Sequence, residues 1–197
     1  MMLRVPTRPF LPSVHGCGFG NAESVGLRIQ IGAVPVAKVP GGLCGGMVLD
    51  SLRSWRLGLP PATRSSADLT RVFGAQLRSF QIPTAPSQYL RLQHPRSVHA
   101  RRVSNQRALD EIVRHLRDGA PIPVALVCRL STNPFALAAH HVVLAYRIRA
   151  RDSASATFGV YDPNYPGDDN VALRISADEV QHSHRSAVHA TFTLHAR

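Results

Sequence analysis

Lysine is almost absent from this 197-residue chain: Lys38 stands alone among 23 basic residues, and the rest are arginine. The arginines are scattered, and no recognition helix, RNA-binding aromatic motif or zinc finger accompanies them. With 12 acidic residues the formal charge is +11, which predicts weak attraction to polyanions through a general field. Cysteine is scarce too. Cys17, Cys44 and Cys128 are an odd number without a C-x-x-C pair, which argues against a disulfide framework or structural zinc site and leaves at least one thiol free. No apolar run approaches the ~20 residues that span a bilayer, so no membrane partner is expected. The opening Met1-Met2-Leu3-Arg4-Val5-Pro6 lacks the hydrophobic centre of a secretory signal, and cytoplasmic residence is the expectation. Repeats and low-complexity tracts are also missing. A hydrophobic fraction of 44% suits one domain over residues 1–197.

What is present falls into three parts. Residues 1–40 read as an extended lead-in, rich in proline and glycine up to Gly20, with short apolar pieces at Leu27–Ile31 and Val34–Val39. Residues 41–120 read as mainly helical. The first helix runs from Leu43 to about Leu57, with Met47, Val48, Leu52 and Trp55 as its buried stripe and Gly58 as its stop. Ser65 or Ser66 caps a second, in which Leu69, Val72, Phe73 and Leu77 recur. Residues 81–104, with Pro83, Pro86 and Pro95, read as an irregular excursion holding a short strand around Tyr89–Leu92. Ser104 or Asn105 caps a third helix carrying Leu109, Ile112, Val113 and Leu116, which Gly119 and Pro121 end. Residues 121–197 read as strands: Pro123–Cys128, Val142–Ile148, Ala156–Tyr161, Val171–Ile175 and Val188–Leu194. Helices first and an antiparallel sheet afterwards is an α+β order.

The chemistry-bearing stretch is Gly41-Gly42-Leu43-Cys44-Gly45-Gly46-Met47. A cysteine at the first turn of a helix sits where unpaired amides and the positive end of the helix dipole converge, which favours thiolate over thiol. The bland alternative is a core cysteine in a glycine-rich turn. Two later motifs supply what a nucleophile needs. His140 and His141 open the strand His141-Val142-Val143-Leu144-Ala145-Tyr146, and Asp162 closes the next one in Val160-Tyr161-Asp162-Pro163-Asn164. If those strands are hairpin neighbours, antiparallel pairing brings Asp162 beside the histidines. Cysteine, histidine and carboxylate in that order form the recurrent thiol-hydrolase arrangement.

These motifs resemble the papain-like cysteine peptidase superfamily. The histidine strand is similar to that superfamily's His-Ala-Val-x-x-Val-Gly-Tyr, and the Asp162-Pro163 ending is similar to that of bacteriocin-processing peptidase domains. Gly-Leu-Cys-Gly-Gly-Met is also similar to bacterial proteins of unknown function. The resemblance covers about residues 44–165 in order, and residue detail only in the three short motifs. It implies a papain-like fold with Cys44 as nucleophile, His141 as general base and Asp162 as the group that orients the imidazole, with His140 and Asn164 as alternates. The implied substrate is a peptide, amide or thioester, with no cofactor and no metal. A catalytically inactive relative acting as a binding or toxin-associated module is the alternative reading, and a basic nucleic-acid binder the third. The sequence departs from the pattern in three places. Lys38 stands where the family's oxyanion-holding glutamine would be, Gly45 replaces the aromatic after the cysteine, and the Cys44-to-His141 interval is shorter than the ~130–150 residues of papain-like enzymes. An oxyanion donor would then come from the N-terminal segment, for which Asn21 and Gln30 are the candidates.

The remaining candidates read as bland. Asp162, Asn164, Asp168, Asp169 and Asn170 fail the EF-hand pattern, with Pro166 and Leu173 at ligand positions. His182, His184, His189 and His195 read as surface residues, although His182 and His184 are spaced for one face of a strand. Cys128 reads as an inert thiol inside a buried strand. Gly45 and Gly46 read as leaving room for a substrate beside the sulfur.

Overall fold

The computed structural model describes residues 8–24, 28–31, 34–38, 42–81 and 83–195. A short helix α1 (Pro12–His15) and a 3-10 turn at Asn21–Ser24 precede two antiparallel strands, β1 (Arg28–Ile31) and β2 (Val34–Lys38). Four helices follow: α2 (Cys44–Leu57), α3 (Ser66–Ser79), α4 (Thr84–Gln93) and α5 (Val98–Arg117). The rest is an antiparallel sheet of β3 (Ile122–Val127), β4 (His141–Arg151), β5 (Ser155–Tyr161), β6 (Ala172–Ser176), β7 (Val180–His182), β8 (Arg185–Val188) and β9 (Ala190–Thr193). The molecule is α+β, helices before sheet. Among the described residues no helix is long and apolar enough to cross a membrane.

The sheet order is β8-β7-β6-β5-β4-β3-β9. Strands β8 and β9 occupy its two ends yet are joined through the single residue His189. One residue spans under ~4 Å, so the sheet must curl until its edges approach. The expected strand Val188–Leu194 is therefore two strands, broken at His189, whose amide donates to Val127 O at 2.8 Å.

Helices cover both faces of the central strands, which is why β3 is buried at every residue. On one face Ala108, Leu109, Ile112 and Val113 of α5 pack on Val124, Leu126, Val143 and Ala145. On the other, Val48, Leu52 and Trp55 of α2, with Phe10, pack on Ala125, Val127, Val142, Leu144 and Tyr161. Strand alternation sorts these residues between the two cores.

Three expectations about the helical part fail, two of them for a local reason. Residues 84–93 form a helix, not an irregular excursion or a strand. Pro83 and Pro86 stand at its start, where first-turn amides have no intrahelical acceptor and proline costs little. Helix α5 begins at Val98 rather than at Ser104 or Asn105. Those two polar residues lie inside it and bind the sheet instead: Ser104 Oγ donates to Thr191 O at 2.8 Å, and Asn105 Oδ1 accepts from Thr191 N at 2.9 Å. In α3 Ser65 is the cap, accepting from Asp68 N, while Leu77 is exposed rather than part of the buried stripe. The lead-in is not wholly extended: α1 interrupts it, and Ser13 ties it to Asp169 through bonds of 2.9 and 2.7 Å.

Candidate active site

Cys44 is the first residue of α2 and is half-buried. Leu43 before it supplies no side-chain cap, so the helix's first amides are left for other groups. The Gly45 N–H points at the Cys44 sulfur, and Gly46 N donates to Gln76 Oε1 at 2.7 Å. The glycines answer to α3 rather than to a substrate. A Cβ on Gly45 would fall 2.3 Å from Ser79 Oγ, and one on Gly46 would fall 2.2 Å from the Val72 carbonyl oxygen. Close helix–helix packing is what requires them.

His141 opens β4, opposite Leu126 of β3. Strands β4 and β5 pair antiparallel with Leu144 opposite Tyr161, so Asp162, one residue beyond, arrives beside the start of β4. His141 Nε2 lies 2.6 Å from Asp162 Oδ1, with side chains 4% and 0% exposed. Since Nε2 is engaged there, Nδ1 is the nitrogen left for the hydrogen bond between the His141 ring and the Cys44 thiol. The three residues selected from the sequence are thus brought together, with His141 next to both Cys44 and Asp162.

Ionisation follows from that grouping. Burial pushes the Cys44 thiol up, but the charge and hydrogen bond of His141, with the Val142 and Gly45 amides, outweigh it and hold the thiol below its ordinary value. Burial pulls His141 down, and the Cys44 charge together with the Asp162 and Cys44 hydrogen bonds raises it to about 9. Burial likewise opposes the Asp162 carboxylate, yet hydrogen bonds from His141 and His182, the His141 charge and the Asn164 amide hold it far below the usual carboxylate range. Arg185 adds a second cation, 3.7 Å from Asp162 Oδ2. With His141 and Arg185 positive and Asp162 negative, the cluster is electrically balanced only when Cys44 is a thiolate.

The alternates lie elsewhere. His140 Nε2 meets Gln93 Oε1 at 2.8 Å, and its ring stacks on Tyr89 at 4.7 Å with a 9° interplanar angle. Burial and the nearby His189 lower it to about 4. Asn164 does not face the imidazole: its amide N donates to Asp162 Oδ1 at 2.8 Å, and its side-chain oxygen accepts from Asn21 Nδ2 at 3.0 Å. Asn21 is thereby held against Gly42, two residues before Cys44. The side chains of Gln30 and Lys38 lie outside the described residues.

Sequence reading missed three neighbours of the site. His182 is 6% exposed, not a surface residue, and its Nε2 stands 3.2 Å from Asp162 Oδ2. The signal was its alternation with Val180, since both are buried while Gln181 between them is exposed. Arg185 carried no signal. Tyr89, hidden by the assumed strand, packs in the same core as Cys44, and its hydroxyl donates to the His141 carbonyl at 3.3 Å. Cys128 lies just past the end of β3 and is half-buried, its thiol pushed by burial to about 11. The acidic turn is already engaged, Asp168 accepting from Asn170 N at 2.7 Å within the turn and Asp169 from Ser13 of the N-terminal segment. Among the described residues, no three His, Cys, Asp or Glu side chains are grouped so as to hold a metal ion. No protein-family model, curated protein or solved structure matches this chain.

Proposed function

We propose that this chain is a papain-like thiol hydrolase or transferase, of peptidase or amidase type, acting on a peptide, amide or thioester bond. The observation that carries the reading is the Cys44–His141–Asp162 grouping at the first turn of a helix, with Cys44 half-buried and its two partners buried. The Cys44 thiolate attacks the substrate carbonyl carbon, and its C=O electrons move onto oxygen. As the tetrahedral species collapses, the C–N or C–S bond breaks and His141 Nδ1–H protonates the departing nitrogen or sulfur. Water or another acceptor then attacks the acyl-cysteine while His141 takes its proton, and the Cys44 thiolate leaves. Asp162 remains ionised and holds the ring in register. The oxyanion would fall to the amide of Cys44, because that of Gly45 points at the sulfur and that of Gly46 is taken by Gln76.

Iodoacetamide alkylation of the native protein across pH tests this. Cys44 is expected to react as though its pKa were far below the ~8.5 of a free thiol, and to lose that advantage in His141→Ala. Equal rates at Cys17, Cys44 and Cys128 would overturn it. Polyanion binding remains a second reading on one observation. A cleft of about 1130 Å³ is lined by Arg53, Arg56, Arg78, Arg91 and Arg107 against a single acid, Glu111. Tight single-stranded RNA binding that survives moderate salt would favour it.

A further inference from the structure

Across the turn Ser183-His184, His182 of β7 pairs with Arg185 of β8. Both side chains reach back to one atom. His182 Nε2 lies 3.2 Å and Arg185 Nε 3.7 Å from Asp162 Oδ2. The first is within hydrogen-bond distance but off-angle and the second is an ion-pair distance, so none of the three atoms has a well-formed hydrogen bond among the described residues. The other oxygen, Oδ1, already receives His141 Nε2 and the Asn164 amide.

The tautomer of His182 can be assigned from its partners. The backbone N–H of His184 lies 3.2 Å from His182 Nδ1. An amide N–H can only donate, so Nδ1 must offer its lone pair, and the ring proton sits on Nε2 facing the carboxylate. His182 is therefore built as a donor to Asp162, set by its own turn. A carboxylate held at one oxygen can pivot about its Cβ–Cγ bond. Held at both, its plane is fixed, and so is the direction in which it aims the His141 ring.

We propose that the β7–β8 turn is a clamp in which His182, protonated at Nε2, and Arg185 grip Asp162 Oδ2 and thereby aim His141 at the Cys44 sulfur. Neither residue touches the reacting atoms, so both are positioning residues, and the inference rests on the nucleophile–base reading given above. It also gives the C-terminal hairpin a use: the turn that closes the sheet's edge locks the site from behind.

The test is the pH profile of Cys44 alkylation in His182→Phe and His182→Gln, with His141→Ala alongside. Loss of the clamp in His182→Phe is expected to move the profile upward by about one pH unit, about a tenfold slower reaction on its acid limb. The glutamine amide can still donate toward Oδ2, and His182→Gln should keep most of the wild-type profile. A wild-type profile in folded His182→Phe, with His141→Ala altered, overturns the clamp alone. A wild-type profile in His141→Ala overturns the base reading itself. Should His182→Phe not fold, nitrogen NMR of the unaltered protein decides. A pyridine-type Nδ1 and a pyrrole-type Nε2 on His182 at neutral pH support the clamp, and the reverse assignment overturns it.

Discussion

Helix α2 touches two cysteines, and the chain treats them in opposite ways. Cys17, from the N-terminal segment, lies buried on its side, with Sγ 3.7 Å from the Met47 carbonyl and 3.5 Å from Ser51 Oγ. Its own amide donates to Tyr161 OH at 3.1 Å, and burial pushes its thiol up to about 11 despite those bonds. Cys44, at the end of the same helix, is held below the ordinary value although burial opposes it as well. Burial therefore does not separate the two. A cationic imidazole does: His141 stands beside Cys44, whereas Cys17 has hydroxyls and a carbonyl and feels Asp50 and Arg71 only as a mutually paired couple of opposite effect. Low dielectric raises a thiol that lacks a counter-charge and magnifies the attraction for one that has it.

The largest effect on this contrast should come from Asp162→Ala. It removes a fully buried carboxylate and strands His141, His182 and Arg185 without their shared partner. A loss of about 3–5 kcal/mol in urea unfolding is expected, together with a Cys44 that reacts like Cys17. Next is His141→Ala, which should slow Cys44 alkylation near neutral pH by about 10- to 100-fold, because the thiolate loses its counter-charge. The same residue sets a pH limit. Because its folded pKa is raised to about 9, its imidazolium contributes stability that is complete below about pH 6.5 and lost as pH rises through about 9. The lowered Cys44 thiol works in the opposite direction over the same window, so thermal melts should show an alkaline decline that is shallow in the wild type and steeper in Cys44→Ser, where Asp162 still holds the imidazolium.

Gly46→Ala comes third. Its Cβ would press on the Val72 carbonyl oxygen and the Gln76 backbone nitrogen, backbone atoms that cannot swing away. A cost of about 1–3 kcal/mol in chemical denaturation is expected, with the first turn of α2 displaced and Cys44 reactivity reduced. The smallest effect belongs to Cys17→Ala: about 1 kcal/mol of stability and an unchanged Cys44 alkylation profile. A changed profile there would mean that the two ends of the contrast are coupled.

Much of the candidate site is legible in the sequence. Cys44 was readable because four glycines and a following apolar stripe announce a helix start. His141 and Asp162 were readable because one opens and the other closes an apolar strand. The choice between His140 and His141 was not, since strand alternation says that the two face opposite ways but not which way. Gln93 and Tyr89 on α4 make that choice by engaging His140, and α4 itself was concealed by prolines whose position in a first turn makes them harmless. The purpose assigned to Gly45 and Gly46 was wrong for a related reason: the contact that demands them comes from α3, about thirty residues away.

The sequence by itself determined the α+β order, the placement of the strong helices and strands, and the residue types available for thiol chemistry. These rest on periodicity and local turn chemistry, which act over a few residues. The tertiary structure alone decided the ionisation of each cysteine, the partner of each histidine and the second grip on Asp162. Those depend on which groups share a buried volume across long stretches of chain, as His141, Asp162, His182 and Arg185 do. Only packing puts charges close enough, in a dielectric low enough, for one thiol to differ from another.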